Sequence, residues 1–273
     1  MIKNLNFILY AVLLLCVFSC NNEGKKKAIA SKENDTSSLS ADGQREVAKM
    51  DKADSLVAKT IAAHGGERYD TAHYRFTFRK KNFTFHHSKK GYTYTSTGQK
   101  DGEDIRDVLE NGTLTRTVNG KETELSAKDV AKYKEALNSV IYFATLPHKL
   151  NDAAVKKSYE GRTLIQGQAY DMLSVTFEQE GGGTDYDDTF MYWVNTETGT
   201  IDYLAYSYQT NDGGVRFRSA YDARTVGGIR FQNYINYEAP IDTPLDALPE
   251  LYEAGKLKEL SRIETEDVVM MED

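Results

Sequence analysis

Three carboxylates stand close together directly after a run of glycines. Asp185, Asp187 and Asp188 follow Gly181-Gly182-Gly183. Oxygen ligands on a flexible loop suit Ca²⁺, so the loop is a candidate calcium site. The spacing is not that of an EF-hand loop, however, and a glycine-rich acidic loop at the end of a hairpin is commonly only solvated. We favour the solvated turn and predict no bound metal.

A second polar set could exchange protons. Asp188, Tyr192 and Arg216 together would supply a carboxylate, a phenol and a cation, which are the parts of an acid–base site. Asp188 could instead form a structural ion pair with Arg216 or Arg218 of a neighbouring strand. The sequence has no GxSxG, HExxH, P-loop, GxGxxG or CxxC motif. It therefore predicts neither catalysis nor a cofactor.

The histidines are placed for structural roles. His86 and His87 are adjacent in a predicted strand, where successive side chains point to opposite faces, so the two cannot easily hold one metal ion. His64 precedes Gly65-Gly66 at the predicted end of a helix, where the helix dipole favours a cation. That position gives His64 a sufficient structural reason to be there.

Aromatic side chains form the other candidate site. Five rings in predicted strands could line a cavity for an apolar ligand: Trp193, Tyr203, Tyr206, Phe217 and Phe231. Ligand pockets are largely apolar, and so are protein cores, so composition alone does not separate the two interpretations. Each ring, taken singly, is better explained as core.

The stretch from Gly181 to Tyr237 positions most of these residues. Four alternating, aromatic-rich runs lie in it, separated by turns rich in Gly, Asn and Asp. Aromatic and β-branched residues favour the pleated, half-buried setting of a strand. This pattern predicts a large antiparallel β-meander.

Helical spacing appears at three places. Apolar residues recur on one stripe from Asp42 to His64, and a second helix begins at Ser126 and ends near Pro147. A short helix is predicted from Asp246 to Ala254, followed by a last edge strand over Leu257 to Val268. The remaining alternating runs predict further strands, so the fold class is α+β, mainly β.

Both cysteines lie near the N-terminus. Phe7 to Phe18 is an apolar run too short to span a bilayer as a typical helix. Cys16 lies inside this run and Cys20 follows it, after Ser19. Val17-Phe18-Ser19-Cys20 resembles a bacterial lipobox. The resemblance implies cleavage before Cys20 and attachment of acyl chains, palmitate among them, to that residue. An ordinary secretory signal or a membrane anchor is the alternative.

Composition divides the chain into three parts. We predict a lipoprotein signal peptide at 1–19, a flexible polar tether at 20–41 and a single domain at 42–273. The formal net charge of -7 and the absence of a concentrated basic stretch disfavour a nucleic-acid partner. The predicted partner is a membrane, contacted through the lipid anchor.

The order of elements resembles a known carrier fold. An N-terminal helix, a continuous run of antiparallel strands and an inserted helix are similar to the lipoprotein-carrier (LolA-like) family, as is the hairpin from Tyr192 to Tyr203. That resemblance implies a large curved sheet, a half-barrel, packed over the two helices with an apolar cavity between. The segments GGGTDYDDTFMYW, DYLAYSY and GGVRFRSAY more closely resemble an uncharacterised family of Gram-negative outer-membrane lipoproteins.

Three functions are compatible with these features. The first is a lipid-anchored protein of the bacterial outer membrane, periplasmic or surface-exposed, that binds an acyl chain or a lipoprotein lipid between sheet and helices without catalysis. The second is a module that binds an envelope protein or a glycan through its aromatic sheet face. The third is an enzyme or calcium-binding protein that uses the loop from Asp185 to Asp188. We expect the first.

Overall fold

Two antiparallel sheets carry most of the chain. The computed structural model describes residues 41–178, 188–209 and 212–272, which all belong to one compact unit, Leu39–Asp273. The α+β, mainly β class predicted from the sequence is confirmed. The predicted single sheet is divided, however, into two hydrogen-bonded sheets of seven strands each.

Sheet 1 is built mostly from the N-terminal half of the domain. Its strands are β1 (His73–Phe78), β2 (Lys81–Ser88), β3 (Gly91–Lys100), β4 (Glu103–Glu110), β5 (Thr113–Val118), β6 (Lys121–Glu122) and β14 (Glu266–Met270). The spatial order is β14-β1-β2-β3-β4-β5-β6, so consecutive strands form a meander and the last strand of the chain closes one edge. Asn119 and Gly120, both with positive φ, make the two-residue turn between β5 and β6, as an Asn-Gly pair between two alternating runs predicts.

Sheet 2 contains the predicted meander. Its strands are β7 (Val155–Ile165), β8 (Gln168–Phe177), β9 (Thr189–Asn195), β10 (Ile201–Tyr208), β11 (Gly214–Val226), β12 (Ile229–Ala239) and β13 (Lys258–Ile263). They lie side by side in sequence order, all antiparallel. The four strands predicted between Gly181 and Tyr237 are therefore confirmed as β9 to β12.

The predicted last strand is wrong in one respect. The segment from Leu257 to Val268 does not form one edge strand. It forms β13 and the start of β14, which lie on the edges of different sheets. Only Glu264 and Thr265 separate the two strands. Neither is a usual turn former, so no break between strands could be predicted there.

Two long helices occupy the positions predicted for them. Helix α1 spans Ala41–His64 and α2 spans Ala127–Ala144. The Ser126 hydroxyl accepts a hydrogen bond from the backbone N–H of Asp129, which is the predicted N-terminal cap. Gly65 ends α1 with φ 155°, and a Cβ there would lie 3.1 Å from both Ile229 and Tyr69. Glycine is thus required at this helix end for two reasons.

A short third helix, α3 (Leu248–Glu253), follows a 3₁₀ turn at Leu245–Ala247. It lies within the helix predicted from Asp246 to Ala254. Asp246 falls inside the turn, and the N-cap is Ala247, which makes no side-chain capping bond.

Each face of sheet 2 has its own core. Helix α1 contributes Ala53, Leu56 and Val57 to a cluster on one face. The opposite face packs against Leu248 of α3, which is fully buried. Helix α2 buries Leu137 and Ile141 against sheet 1. Strand β9 is consequently buried on both faces, as its unbroken run of large apolar residues predicts.

Candidate functional site

A cleft lies between the two sheets beside α2. Its volume is about 770 Å³. Sheet 1 supplies residues of β1 and β3, α2 supplies residues of its last three turns, and sheet 2 supplies residues of β7 to β13. Eleven aromatic side chains line it: Phe76, Phe78, Tyr92, Tyr94, Tyr142, Phe143, Phe177, Phe190, Tyr206, Tyr208 and Tyr234. A volume of this size falls within the range of small-molecule sites, roughly 300–1,000 Å³.

The rings on the sheet 2 side are packed against one another. Phe190 stacks on Tyr206 with ring centroids 5.4 Å apart, and Phe177 meets Phe190 edge-on at 5.7 Å. Phe143 of α2 lies 5.9 Å from Tyr206. Offset and edge-to-face arrangements of this kind are the favoured geometries of aromatic pairs. The cleft therefore presents a continuous aromatic surface.

A second cavity of about 420 Å³ lies between α2 and sheet 1. It shares Phe78, Arg79 and Val140 with the cleft as common wall residues. Its other walls combine apolar residues such as Phe83 and Leu137 with polar ones such as Gln99. Helix α2 thus borders two cavities.

The structure places the five predicted ligand-binding rings in three different environments. Tyr206 is half-buried and lines the cleft. Trp193, Tyr203 and Phe217 lie on the opposite face of sheet 2, in the cluster beneath α3. Phe231 is buried in the cluster of sheet 1 and α2. The five are therefore not brought together, and of them Tyr206 alone lines the cleft.

The other ten rings of the cleft were not predicted to bind a ligand, and Phe143, Phe177 and Phe190 are among them. The strand register explains Phe190, because Phe190 and Tyr206 are direct cross-strand partners on β9 and β10 and so share a face. Periodicity shows which residues share a face within one strand. It does not show which face meets α2.

The candidate acid–base set is only partly assembled. Asp188 and Arg216 both line the cleft, and Arg216 donates hydrogen bonds to the Tyr208 hydroxyl at 2.6 Å and to the Val215 carbonyl at 3.0 Å. Burial raises the pKa of Tyr192 well above its usual value of 10, so this phenol does not titrate near neutral pH. The candidate calcium ligands Asp185 and Asp187 lie outside the described residues.

His64 and His87 are buried and hydrogen-bonded within the fold. Burial lowers the pKa of His64 to about 4, so burial opposes the positive charge that the helix dipole favours at the end of α1. Its Nδ1 donates to the Thr60 carbonyl at 2.9 Å. His87 is buried and donates from Nδ1 to the Tyr69 carbonyl at 2.8 Å, which leaves Nε2 to accept from the Tyr94 hydroxyl at 3.1 Å.

Two absences hold for the described part of the chain. Within residues 41–178, 188–209 and 212–272, His, Cys, Asp and Glu side chains form no group of three or more that could hold a metal ion. Over the same residues no helix combines the length and the apolar character needed to cross a bilayer.

Solved structures similar to this chain include bacterial envelope proteins. A LolA superfamily protein from Nitrosomonas europaea is 11% identical, with a TM-score of 0.45, over 81% of this chain and 94% of that one. A DUF1329 family protein from Desulfovibrio piger is 8% identical, with a TM-score of 0.41, over 81% and 93%. An outer membrane lipoprotein-sorting protein domain from Vibrio parahaemolyticus is 7% identical, with a TM-score of 0.39, over 81% and 93%. Similarity of this size says nothing about a ligand.

No curated protein matches the sequence. One protein family does, over nearly the whole chain: residues 6–265 match DUF6503, a family of unknown function. The resemblance to an uncharacterised family, noted from the sequence, is confirmed by this match, and a LolA superfamily protein is among the similar structures. The chain belongs to the DUF6503 family.

Proposed function

We propose that this protein binds the apolar part of a lipid, such as an acyl chain or the lipid of another lipoprotein, in the cleft beside α2, without catalysis. The observation that carries the proposal is the cleft itself, about 770 Å³ of space walled by eleven aromatic rings. Removing an acyl chain from water into such a site is favourable, by about 0.8 kcal/mol for each buried CH₂. The shape of the cleft would then determine which acyl chains bind.

The location that we propose follows from the N-terminal sequence. Acylation of Cys20 would anchor the chain in the outer membrane, with residues 20–41 as a tether to the domain. A protein held at a membrane surface meets its lipid ligand at high local concentration. Anchoring and lipid binding therefore support one another.

A direct test uses the chain from Asn21 onward, which lacks the acylated residue. The neutral fluorophore N-phenyl-1-naphthylamine should gain fluorescence on binding, and mass spectrometry of organic extracts should detect co-purified lipid. Ser139 is exposed on α2 at the cleft, so Ser139→Trp should fill the entrance and weaken probe binding by about tenfold, or 1.4 kcal/mol.

The control is Ala131→Trp, an exposed position of the same helix that borders neither the cleft nor the second cavity. This variant should bind the probe like the unchanged chain. A folded chain that neither binds the probe nor carries lipid would refute the proposal.

The alternative of docking a protein or glycan on an aromatic sheet face has less support. The face that carries Trp193 and Phe217 is covered by α3, with Tyr252 5.2 Å from Phe217. Both rings are fully buried. A partner would have to displace α3 to reach them.

A further inference from the structure

A buried arginine lies in the aromatic wall of the cleft. Arg218 projects from β11 and is only 7% exposed, and it borders the cleft. Arginine is almost never buried to this degree unless it is paired. A guanidinium carries five N–H donors, and leaving buried donors unmet is costly.

The hydrogen-bond partners of Arg218 satisfy only some of its N–H donors. Its Nη2 donates to the Tyr206 hydroxyl at 2.9 Å, and the guanidinium lies 4.1 Å from the ring centroid of Phe143. The buried Nε and Nη1 atoms have no hydrogen-bond partner among the described residues. Those two nitrogens account for three of the five donors.

Other arginines of the same domain show what a satisfied guanidinium looks like here. Arg116 makes a two-point pair with the Asp107 carboxylate at 2.6 and 2.8 Å. Arg216, which precedes Arg218 on the same face of β11, donates to a hydroxyl and a carbonyl. Arg218 differs from both, since it is the more deeply buried neighbour of Arg216 and has the fewest partners for its donors.

Among the residues that the structure describes, the charges around the cleft do not oppose an anion. The cationic side chains of this set are Arg79, Lys149, Arg216 and Arg218, and the acidic ones are Glu135, Asp152 and Asp188. Asp152 is engaged by Lys149 at 3.4 Å, and Glu135 and Asp188 also have partners. These carboxylates thus have partners, whereas Arg218 keeps N–H donors without a hydrogen-bond partner in the described part of the chain.

We infer that the ligand is an amphiphile with an acidic headgroup, a carboxylate or a phosphate, that binds Arg218 while its chain lies along Phe190 and Tyr206. A charge-assisted hydrogen bond in an apolar setting is about twice as strong as a neutral one, and a carboxylate or phosphate matches a guanidinium. Phe143 covers the guanidinium from α2, so a bound headgroup takes the place of this ring beside Nε and Nη1. This inference rests on the proposed function and adds the class of headgroup.

The test compares ligands of equal chain length at pH 8, by displacement of N-phenyl-1-naphthylamine from the chain that begins at Asn21. Palmitate and hexadecyl phosphate should bind at least tenfold more tightly than hexadecanol. Hexadecyltrimethylammonium should bind no better than hexadecanol. Inorganic phosphate at millimolar concentration should displace nothing, because the headgroup alone lacks the apolar contacts. Displacement by inorganic phosphate would instead identify a free-anion site and overturn the inference.

Variants of Arg218 test whether this side chain causes the preference for an acidic headgroup. Arg218→Gln should bring palmitate and hexadecanol to within about twofold of each other and leave hexadecanol affinity almost unchanged. Arg262→Gln removes a guanidinium that borders neither the cleft nor the second cavity, so it is the matched control and should keep the preference. Arg218→Lys, which retains the charge, covers the case in which Arg218→Gln does not fold, and it should keep part of the preference.

The headgroup inference and the proposed function can fail separately. Equal binding of palmitate and hexadecanol by the unchanged chain, or a preference that survives in Arg218→Gln, would overturn the headgroup inference and leave lipid binding standing. Failure of the neutral probe and of every amphiphile to bind would overturn the proposed function, and the inference with it.

Discussion

The hydroxyl of Tyr142 on α2 lies 3.0 Å from the hydroxyl of Tyr192 on β9. This hydrogen bond joins the inserted helix to sheet 2 at the inner end of the cleft, because Tyr142 lines the cleft and Tyr192 is fully buried. Burial raises the pKa of both phenols above 10, so both stay protonated at neutral pH and one can donate to the other.

A double-mutant cycle on this pair should show coupling. Tyr142→Phe and Tyr192→Phe should each lower the free energy of unfolding by about 1–3 kcal/mol, because each leaves the other hydroxyl without its partner. The double variant should cost less than the two single changes added together. Urea denaturation measures all four chains, and strictly additive losses would show that the contact contributes nothing.

The two kinds of aromatic residue in sheet 2 should separate by phenotype. Phe217→Ala removes a fully buried ring from the core beneath α3 and should cost about 3–5 kcal/mol of stability. Tyr206→Ala removes a half-buried ring from the cleft and should weaken probe binding more than it destabilises the fold. Thermal unfolding and probe titration distinguish them. The reverse pattern would place the ligand on the α3 side of the sheet.

The ion pair between Asp107 and Arg116 should contribute measurably to stability. Its side chains are only 10% and 13% exposed, and Arg116 also lies 3.4 Å from the ring centroid of Tyr133 on α2. Asp107→Asn should lower the free energy of unfolding by about 1.5–3 kcal/mol, the range for hydrogen bonds to charged groups. The matched control, Glu259→Gln, removes the exposed pair with Arg262 and should leave the denaturation midpoint unchanged.

Stability should fall as the pH drops from about 6.5 toward 4. The pKa of His64 is about 4 in the folded chain and 6.5 in the unfolded one, so the unfolded state holds more protons throughout this window. Protonation therefore favours unfolding, by up to about 3 kcal/mol from His64 alone. Urea denaturation at pH 7.5, 5.5 and 4.5 should show the loss. His64→Gln should have a shallower dependence on pH, and an identical slope would rule out this assignment.

The predicted lipid anchor has a simple test. Cells expressing the full chain should incorporate labelled palmitate into it, and Cys20→Ala should abolish the label. Cys16→Ala provides the control, since Cys16 lies within the predicted signal peptide and should not affect acylation. Label that persists in the Cys20 variant would contradict the lipoprotein assignment.

The sequence predicted elements better than their arrangement. Helix ends and hairpins depend on neighbouring residues, so Ser126 and Asn119-Gly120 could be assigned correctly. The division into two sheets depends instead on which distant strands pair. No pattern in the segment from Lys258 to Met270 indicates that its two halves join different sheets.

The aromatic character of the site was predictable, but the residues that form it were not. Alternation in β9 and β10 places aromatic rings on both faces, so the sequence could suggest an aromatic surface but not which face remains open. Tyr206 lines the cleft, whereas Trp193 is core because α3 covers its face. The unmet donors of Arg218 depend on the positions of Phe143 and Tyr206, and periodicity carries no information about such contacts between elements.

Strands β13 and β14 are consecutive in the chain but lie on the edges of different sheets. Because β13 borders β12 and β14 borders β1, with two residues between them, one proteolytic cut near Glu264 would loosen both sheets together. Two rows of backbone amides and carbonyls would then be open to other molecules, which is the usual start of strand-to-strand aggregation. The C-terminal strands thus make one exposed edge of each sheet a short one, which limits such pairing.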